Sequence, residues 1–184
     1  YGMPGDDYRF YEINPVVVRL AEGEGDYFTF LSDSEAKITV VEGDARISLE
    51  NELSSGDAQP FDVLVLDTFS SDSIPVHLVT KEAFALYTQY LTPDGVIAAH
   101  ISNRHLDLQP VFWQLAQEYG LKMVRIANEA GAEEEFPSEW LLLTSNEDIL
   151  NIPQIHERAL GYEGYSTSIP IWTDDYSNLF QILR

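Results

Sequence analysis

Two patterns of apolar residues alternate along this chain: short β-branched or aliphatic runs that stop at an acid, and longer stretches with helical spacing. Arg9 to Ile13, RFYEI, reads as a strand, and Asn14-Pro15 then supplies a cap and a first-turn proline before VVVRLA. After a turn at Gly23 to Asp26, the aromatic segment Tyr27 to Leu31 is expected to continue the helical layer. Ile38 to Val41 is a β-branched strand closed by Glu42-Gly43-Asp44, and ARISLENEL carries helical spacing through Ala45, Ile47 and Leu49. In FDVLVLD the run Val63 to Leu66 does not alternate, which predicts a strand buried on both faces and ended by Asp67.

Thr80 is placed to cap KEAFALYTQYL, whose Ala83, Phe84, Tyr87 and Leu91 form one apolar face, and the helix is expected to stop at the turn Thr92-Pro93-Asp94-Gly95. Val96 to Ile101 is the next strand and Pro110 to Tyr119 the next helix. Lys122 to Ile126 and Trp140 to Thr144 follow as strands joined without a helix, so they are expected to be antiparallel. The tail from Asn146 shows one short helix, Pro153 to Leu160, before the aromatic end Ile171 to Leu183. Four β-then-α units followed by a hairpin predict an α/β fold, a mostly parallel sheet with helices on both faces. Residues 1–184 fit a single domain, with 146–184 as a C-terminal extension packing on it.

Charge narrows the partners. A formal net charge of −21, from 31 acids against 10 bases, disfavours nucleic acid and anionic membrane surfaces and suits a cationic ligand or simple solubility. Runs such as Glu133 to Glu135 carry part of the excess. The chain has no cysteine, which excludes thiol chemistry and disulfides and accords with a cytoplasmic setting. No apolar run approaches the ~20 residues of a bilayer span, so no membrane contact is expected of this segment. The chain opens at Tyr1 and not at methionine, so a processed, excised or incompletely represented piece is expected.

Acids at strand ends are the candidate chemistry. In open α/β sheets ligands bind outside the carboxyl ends of the strands. Glu12 and Asp44 follow two strand ends, while Asp67 and Asp72 follow a third. A carboxylate such as Glu12 can accept hydrogen bonds from two ribose hydroxyls, or it can complement a helix N-terminus. Asp44 can accept from an adenine amino group or cap a helix. Asp67 can face a ligand or cap a turn, with Asp72 in solvent. Taken together the four acids describe a cleft for a nucleoside on one side and a cation on the other. The four histidines, His77, His100, His105 and His156, lack metal-ligand spacing and are expected in turns or at the surface, so no metal is expected. There is no G-x-S-x-G, P-loop or G-x-G-x-x-G to support a hydrolase or kinase.

YEINP, VVEGDAR, FDVLVLDTFSSDSIPVHLVTKEAF, LTPDGVIAAHISN and WTDDYSNL together resemble the spermidine synthase-like proteins, the polyamine aminopropyltransferase branch of the Rossmann-like class I methyltransferase fold. The likeness runs from about Tyr8 to Leu179. It implies that Glu12 holds the ribose, Gly43 and Asp44 the adenine, that Asp67 serves the amine nucleophile and that Asp72 helps hold the diamine. It also implies decarboxylated S-adenosylmethionine, or S-adenosylmethionine, as co-substrate, with a polyamine such as putrescine as acceptor and methylthioadenosine as product. A homo-oligomer is expected, paired through sheet edges, and the chain is expected to be a cytoplasmic protein or the cytoplasmic part of a larger membrane-associated one. Three features depart from the family pattern: the glycine-rich loop and first strand have no counterpart, so the fold is read as N-terminally truncated; the acids are not spaced D-x-x-D-P; and the small N-terminal β domain is absent. An S-adenosylmethionine-dependent methyltransferase and a non-catalytic ligand-binding or assembly module of the same fold stay open as alternatives.

Overall fold

The structure is a computed structural model that describes residues 2–68, 74–128 and 137–184. The expected succession of βα units is present: β1 (Asp7–Glu12), α1 (Pro15–Ala21), β2 (Lys37–Glu42), α2 (Ala45–Ser55), β3 (Phe61–Leu66), α3 (Lys81–Tyr90), β4 (Leu91–His100) and α4 (Gln109–Glu118). The hairpin β5 (Lys122–Asn128) and β6 (Ser138–Thr144) follows, then α5 (Glu147–Leu150), α6 (Pro153–His156) and the two-residue β7 (Ala159–Leu160). The helix starts obey capping chemistry. Asn14 Oδ1 accepts from the Val16 amide at 2.9 Å, Asp44 Oδ1 from Ile47 at 3.0 Å and Thr80 Oγ1 from Ala83 at 3.2 Å, each satisfying an amide that the helix cannot.

The chain divides into two compact units, Tyr1–Ala58 and Gln59–Arg184. In the first, β1 and β2 pair in parallel from Asp7↔Lys37 to Glu12↔Glu42. Its buried hydrophobic residues are Val18 and Leu49. A charged cluster adds to them: the Arg9 guanidinium meets Glu52 at 2.5 Å, and the Tyr11 hydroxyl donates to the same carboxylate at 2.8 Å. Burial, then that hydrogen bond, pushes the Tyr11 hydroxyl above its usual range.

The second unit holds a five-stranded sheet in the order β3-β4-β6-β5-β7. β3 and β4 are parallel, and β6 runs antiparallel to both β4 and β5, so the hairpin expected of the last two long strands forms and inserts its second strand beside β4. Ile97, Ile101, Phe84, Phe112, Leu115, Leu141, Leu143 and Trp172 are almost wholly buried and make the core. The C-terminal segment closes one end of α3, where Trp172 O accepts from the Lys81 amide at 2.8 Å and the Thr80 hydroxyl donates to Asp174 at 2.8 Å. Among the described residues no helix is long and apolar enough to cross a membrane.

Four expectations need correction. β3 is not covered on both faces: Leu64 and Leu66 are 7% exposed, but Val63 and Val65 are 57% and 56% exposed. The uniform run reflects two apolar faces, of which one is covered. Residues 27–31 form no helix beyond the short 3-10 turn Glu24–Asp26, and Tyr27, Phe28 and Phe30 are exposed, since no second apolar stripe stands behind those rings. Thr92 to Gly95 do not separate helix from strand; β4 already starts at Leu91, opposite Phe61, and the register shifts before Val63↔Val96. The tail carries α5 and α6 in place of one helix from Pro153 to Leu160, because Pro153 can only start a helix and Asn146 caps an earlier one.

Thr80 is almost fully buried and serves two partners, so Thr80→Ala is expected to destabilise the protein by about 1 to 3 kcal/mol in urea unfolding, with Thr80→Ser recovering most of the loss. Among the described residues β1 pairs only with β2, and β3 only with β4, so each has an edge without a strand partner. Such edges favour strand addition, and the chain is expected to sediment above monomer mass; a monomer at every concentration would refute this.

Candidate functional site

In the first unit the parallel register sets the carboxyl ends of β1 and β2 side by side. The Gly43 amide donates to Glu12 O at 2.9 Å, so Glu12, Gly43 and Asp44 come together at one sheet edge. Glycine is suited to that turn, since Gly43 has φ +147° and an added Cβ would stand 3.3 Å from Ser48 Oγ. Glu12 Oε1 accepts from the Asn14 amide at 2.7 Å, which turns its carboxylate over the start of α1. Oε2 has no hydrogen bond among the described residues and is open to a donor. Asp44 does what a helix cap does, with Oδ1 on the Ile47 amide.

In the second unit the centre is Asp67. One step beyond the pair Leu66↔Ala99, Asp67 follows the end of β3 and lies beside His100, the last residue of β4. Asp67 Oδ1 lies 2.7 Å from His100 Nδ1, and His100 Nε2 lies 2.7 Å from Ser102 Oγ. The Ser102 oxygen also accepts from the Glu139 amide at 2.7 Å. Two acceptors cannot share one hydrogen bond, so an ionised Asp67 requires the proton on Nδ1 of His100. With the ring's single proton on Nδ1, Nε2 is an acceptor to which the Ser102 hydroxyl can donate while its oxygen accepts from the Glu139 amide.

The His100 ring is also fixed from the side. It stacks on Trp140, its partner across β4 and β6, with centroids 4.7 Å apart and planes 14° apart. Glu139, next to Trp140, is gripped by two guanidiniums, Arg125 on Oε1 and Arg184 on Oε2, each at 3.1 Å. A continuous set of polar contacts therefore runs from two arginines through Glu139, Ser102 and His100 to Asp67. The Asp67 side chain is 56% exposed and that of His100 17%, so the set ends at the solvent with a carboxylate. Asp67 Oδ2 has no hydrogen bond among the described residues. Such a group can accept a proton or hold a cation.

Asp72 lies outside the described residues. His100 departs from the expectation for the four histidines: it is in a strand and holds a carboxylate, not in a turn. The sequence did contain a signal, because LVLD and IAAH end two consecutive parallel strands and aligning those ends pairs Asp67 with His100. Ser102 and Glu139 had no such signal, since their meeting depends on the order of β4 and β6. Among the described residues no group of three or more histidine, aspartate or glutamate side chains could hold a metal ion. Two open cavities, of about 470 and 590 Å³, follow residues 159–165, and neither is lined by Asp67 or His100.

No protein-family model matches the chain. A stretch of 89 residues, 48% of the chain, is 35% identical to a polyamine aminopropyltransferase of Vibrio vulnificus. The resemblance to the spermidine synthase-like proteins holds. The chain spans 27% of that relative's length. In fold it is similar to the spermidine synthase of Thermotoga maritima, with a TM-score of 0.53 at 13% identity over 92% of this chain and 55% of the other. It is similar also to human methyltransferase-like protein 13 in complex with SAH, with a TM-score of 0.54 at 20% identity over 82% of this chain and 69% of the other. The fold is thus α/β and Rossmann-like, of the class I methyltransferase type, with antiparallel strands at its C-terminal side.

Proposed function

We propose that the chain carries out the acceptor chemistry of an aminopropyltransferase, using decarboxylated S-adenosylmethionine as donor and a polyamine such as putrescine as acceptor. The observation that carries this reading is Asp67, a strand-end carboxylate with one oxygen held by His100 and the other without a hydrogen bond among the described residues. It lies in a chain of net charge −21, which favours a cationic ligand. The 35% identity to a polyamine aminopropyltransferase supports it, as does an alignment with a spermidine synthase that runs through both units. That alignment also supports treating residues 1–184 as one methyltransferase-like domain.

The reaction asks little of the protein beyond placement and one proton transfer. As the acceptor's neutral nitrogen bonds to the propyl carbon, the carbon–sulfur bond breaks and its electron pair stays on sulfur, leaving methylthioadenosine. Asp67 Oδ2 takes the proton that the nitrogen must lose. On this reading Glu12 holds the ribose hydroxyls, Gly43 and Asp44 bind the adenine, and Asp72 anchors the far end of the diamine. Glu12 suits its role because Oε1 is fixed on Asn14 and Oε2 is open, so the carboxylate is oriented before a ribose arrives.

Asp67→Asn keeps an acceptor for His100 but cannot take a proton, so transfer is expected to fall by roughly 10²- to 10⁴-fold while methylthioadenosine binding is kept. Equal turnover by the variant would reject the role, and a product heavier by a methyl and not an aminopropyl group would identify a methyltransferase. Glu12→Gln keeps the bond to Asn14 and removes the charge; calorimetry is expected to show methylthioadenosine bound about 1.5 to 3 kcal/mol more weakly.

A further inference from the structure

We propose that His100 is the positioning residue of Asp67: locked in one tautomer by Ser102 and in one plane by Trp140, it decides which carboxylate oxygen meets the amine. This rests on the reading of Asp67 as the proton acceptor, and it adds residues that the reading does not supply.

An aspartate at the end of an edge strand, with its side chain more than half in water, has no reason of its own to keep one orientation. Two torsions are free, and each rotamer presents a different oxygen in a different direction. The Nδ1–H of His100 removes that freedom by holding Oδ1 at 2.7 Å, so Oδ2 is the oxygen left for a substrate. The hold depends on Nδ1 being the donor. If the neutral ring carried its proton on Nε2, a lone pair would face the carboxylate, and the contact would be repulsive.

Ser102 favours the other tautomer. Its oxygen already accepts from the Glu139 amide, so with the ring proton on Nδ1 its hydroxyl can donate to Nε2 and every polar atom of the set has a partner. Glu139 is itself held by Arg125 and Arg184, and the ring plane is set by the stack on Trp140. Each member thus fixes the next, and only the last is open.

The atoms Ser102 Oγ, His100 Nε2, His100 Nδ1 and Asp67 Oδ1 follow the order of a serine nucleophile triad. The exposure runs the other way. In a triad the serine faces substrate and the aspartate is enclosed, whereas here Asp67 is the exposed end and Ser102 is tied to the Glu139 amide. The chain of contacts acts as a brace for the carboxylate.

The test uses the full chain with decarboxylated S-adenosylmethionine and putrescine. His100→Phe keeps a ring to stack on Trp140 but loses both nitrogens, and kcat is expected to fall roughly 10- to 100-fold, with KM for the nucleoside donor and methylthioadenosine affinity unchanged. His100→Asn restores a donor near the position of Nδ1 and is expected to recover much of the loss. Ser102→Ala frees the tautomer and should fall between wild type and His100→Phe. Nitrogen-15 NMR of the imidazole is expected to show the neutral ring protonated on Nδ1 in wild type and a shift toward Nε2 in Ser102→Ala. Wild-type kcat in His100→Phe, with Asp67→Asn inactive, would overturn the positioning role and leave the reading of Asp67 intact, as would a wild-type ring protonated on Nε2. No transfer by wild type, or full transfer by Asp67→Asn, would overturn the reading of Asp67 itself and this role with it.

Discussion

The register of two parallel strands is the constraint on which the candidate site depends. Because Leu66 lies opposite Ala99, the residue that follows each, Asp67 just past β3 and His100 at the end of β4, is brought to its partner. Parallel pairing can hold that register only if the strands are covered, and β4 is: Ile97 and Ala99 are fully buried, and β6 flanks its second edge. A shift of one residue between β3 and β4 would turn every side chain of β3 to the opposite face and part the carboxylate from the imidazole. The hydrophobic core and the polar site are therefore one problem solved together. Burial of the aliphatic run fixes the strand, and the strand fixes the charge.

Much of this architecture is legible in the residues. Asn14-Pro15, Asp44 and Thr80 announce three helices, and all three side chains accept the amide hydrogen bond their position predicts. The antiparallel hairpin followed from the lack of a helix between two strands. What the pattern could not give was coverage. Val63 and Val65 are as apolar as Leu64 and Leu66, yet only the leucines find neighbours, because burial depends on what other elements supply. Periodicity reports which side chains tolerate a core, not which receive one. The site divides the same way. Asp67 could be read from an abrupt strand end, whereas His100 becomes meaningful only when two strands are laid side by side, and Ser102 and Glu139 only when the strand order is known.

The two units draw on different interactions. The second has a core of large side chains, with Phe84, Phe112, Leu115 and Trp172 almost fully enclosed. The first encloses Val18 and Leu49, leaves Phe28, Phe30 and Val16 exposed, and relies on the Arg9, Tyr11 and Glu52 cluster. At about 25 cal/mol per Å² of apolar surface, two buried aliphatic side chains stabilise a fold by only a few kcal/mol. Hydrogen bonds at the unit's sheet edge thus matter more than they would above a large core. Glu12 takes the Asn14 amide, Asp44 takes that of Ile47, and the Gly43 amide is satisfied by Glu12 O. The residues proposed to meet a nucleoside are the same ones that finish the ends of the unit's strands and helices, so capping and ligand recognition are not rival roles here. A carboxylate oriented by one local amide retains further lone pairs for a ligand.

On the proposed function, an acidic chain would face opposed demands from a polyamine acceptor. Negative charge attracts the cation, yet the nitrogen that attacks must be neutral, and a field that stabilises the ammonium opposes its deprotonation. A carboxylate that contacts the nitrogen directly eases the conflict, since the proton moves to a group that is already negative and the site's net charge is conserved. For this the carboxylate must not be neutralised beforehand. A lysine or arginine on Asp67 would stabilise its charge and weaken it as a base, whereas an imidazole donating from Nδ1 would, when uncharged, orient it at a smaller cost in basicity. The two arginines of this network stand on Glu139, beyond Ser102 and His100, where they set geometry without pairing with Asp67. If Asp67 is the proton acceptor proposed above, the order arginine, glutamate, serine, histidine, aspartate would separate orientation from neutralisation, and a histidine would suit the end of β4 better than a lysine.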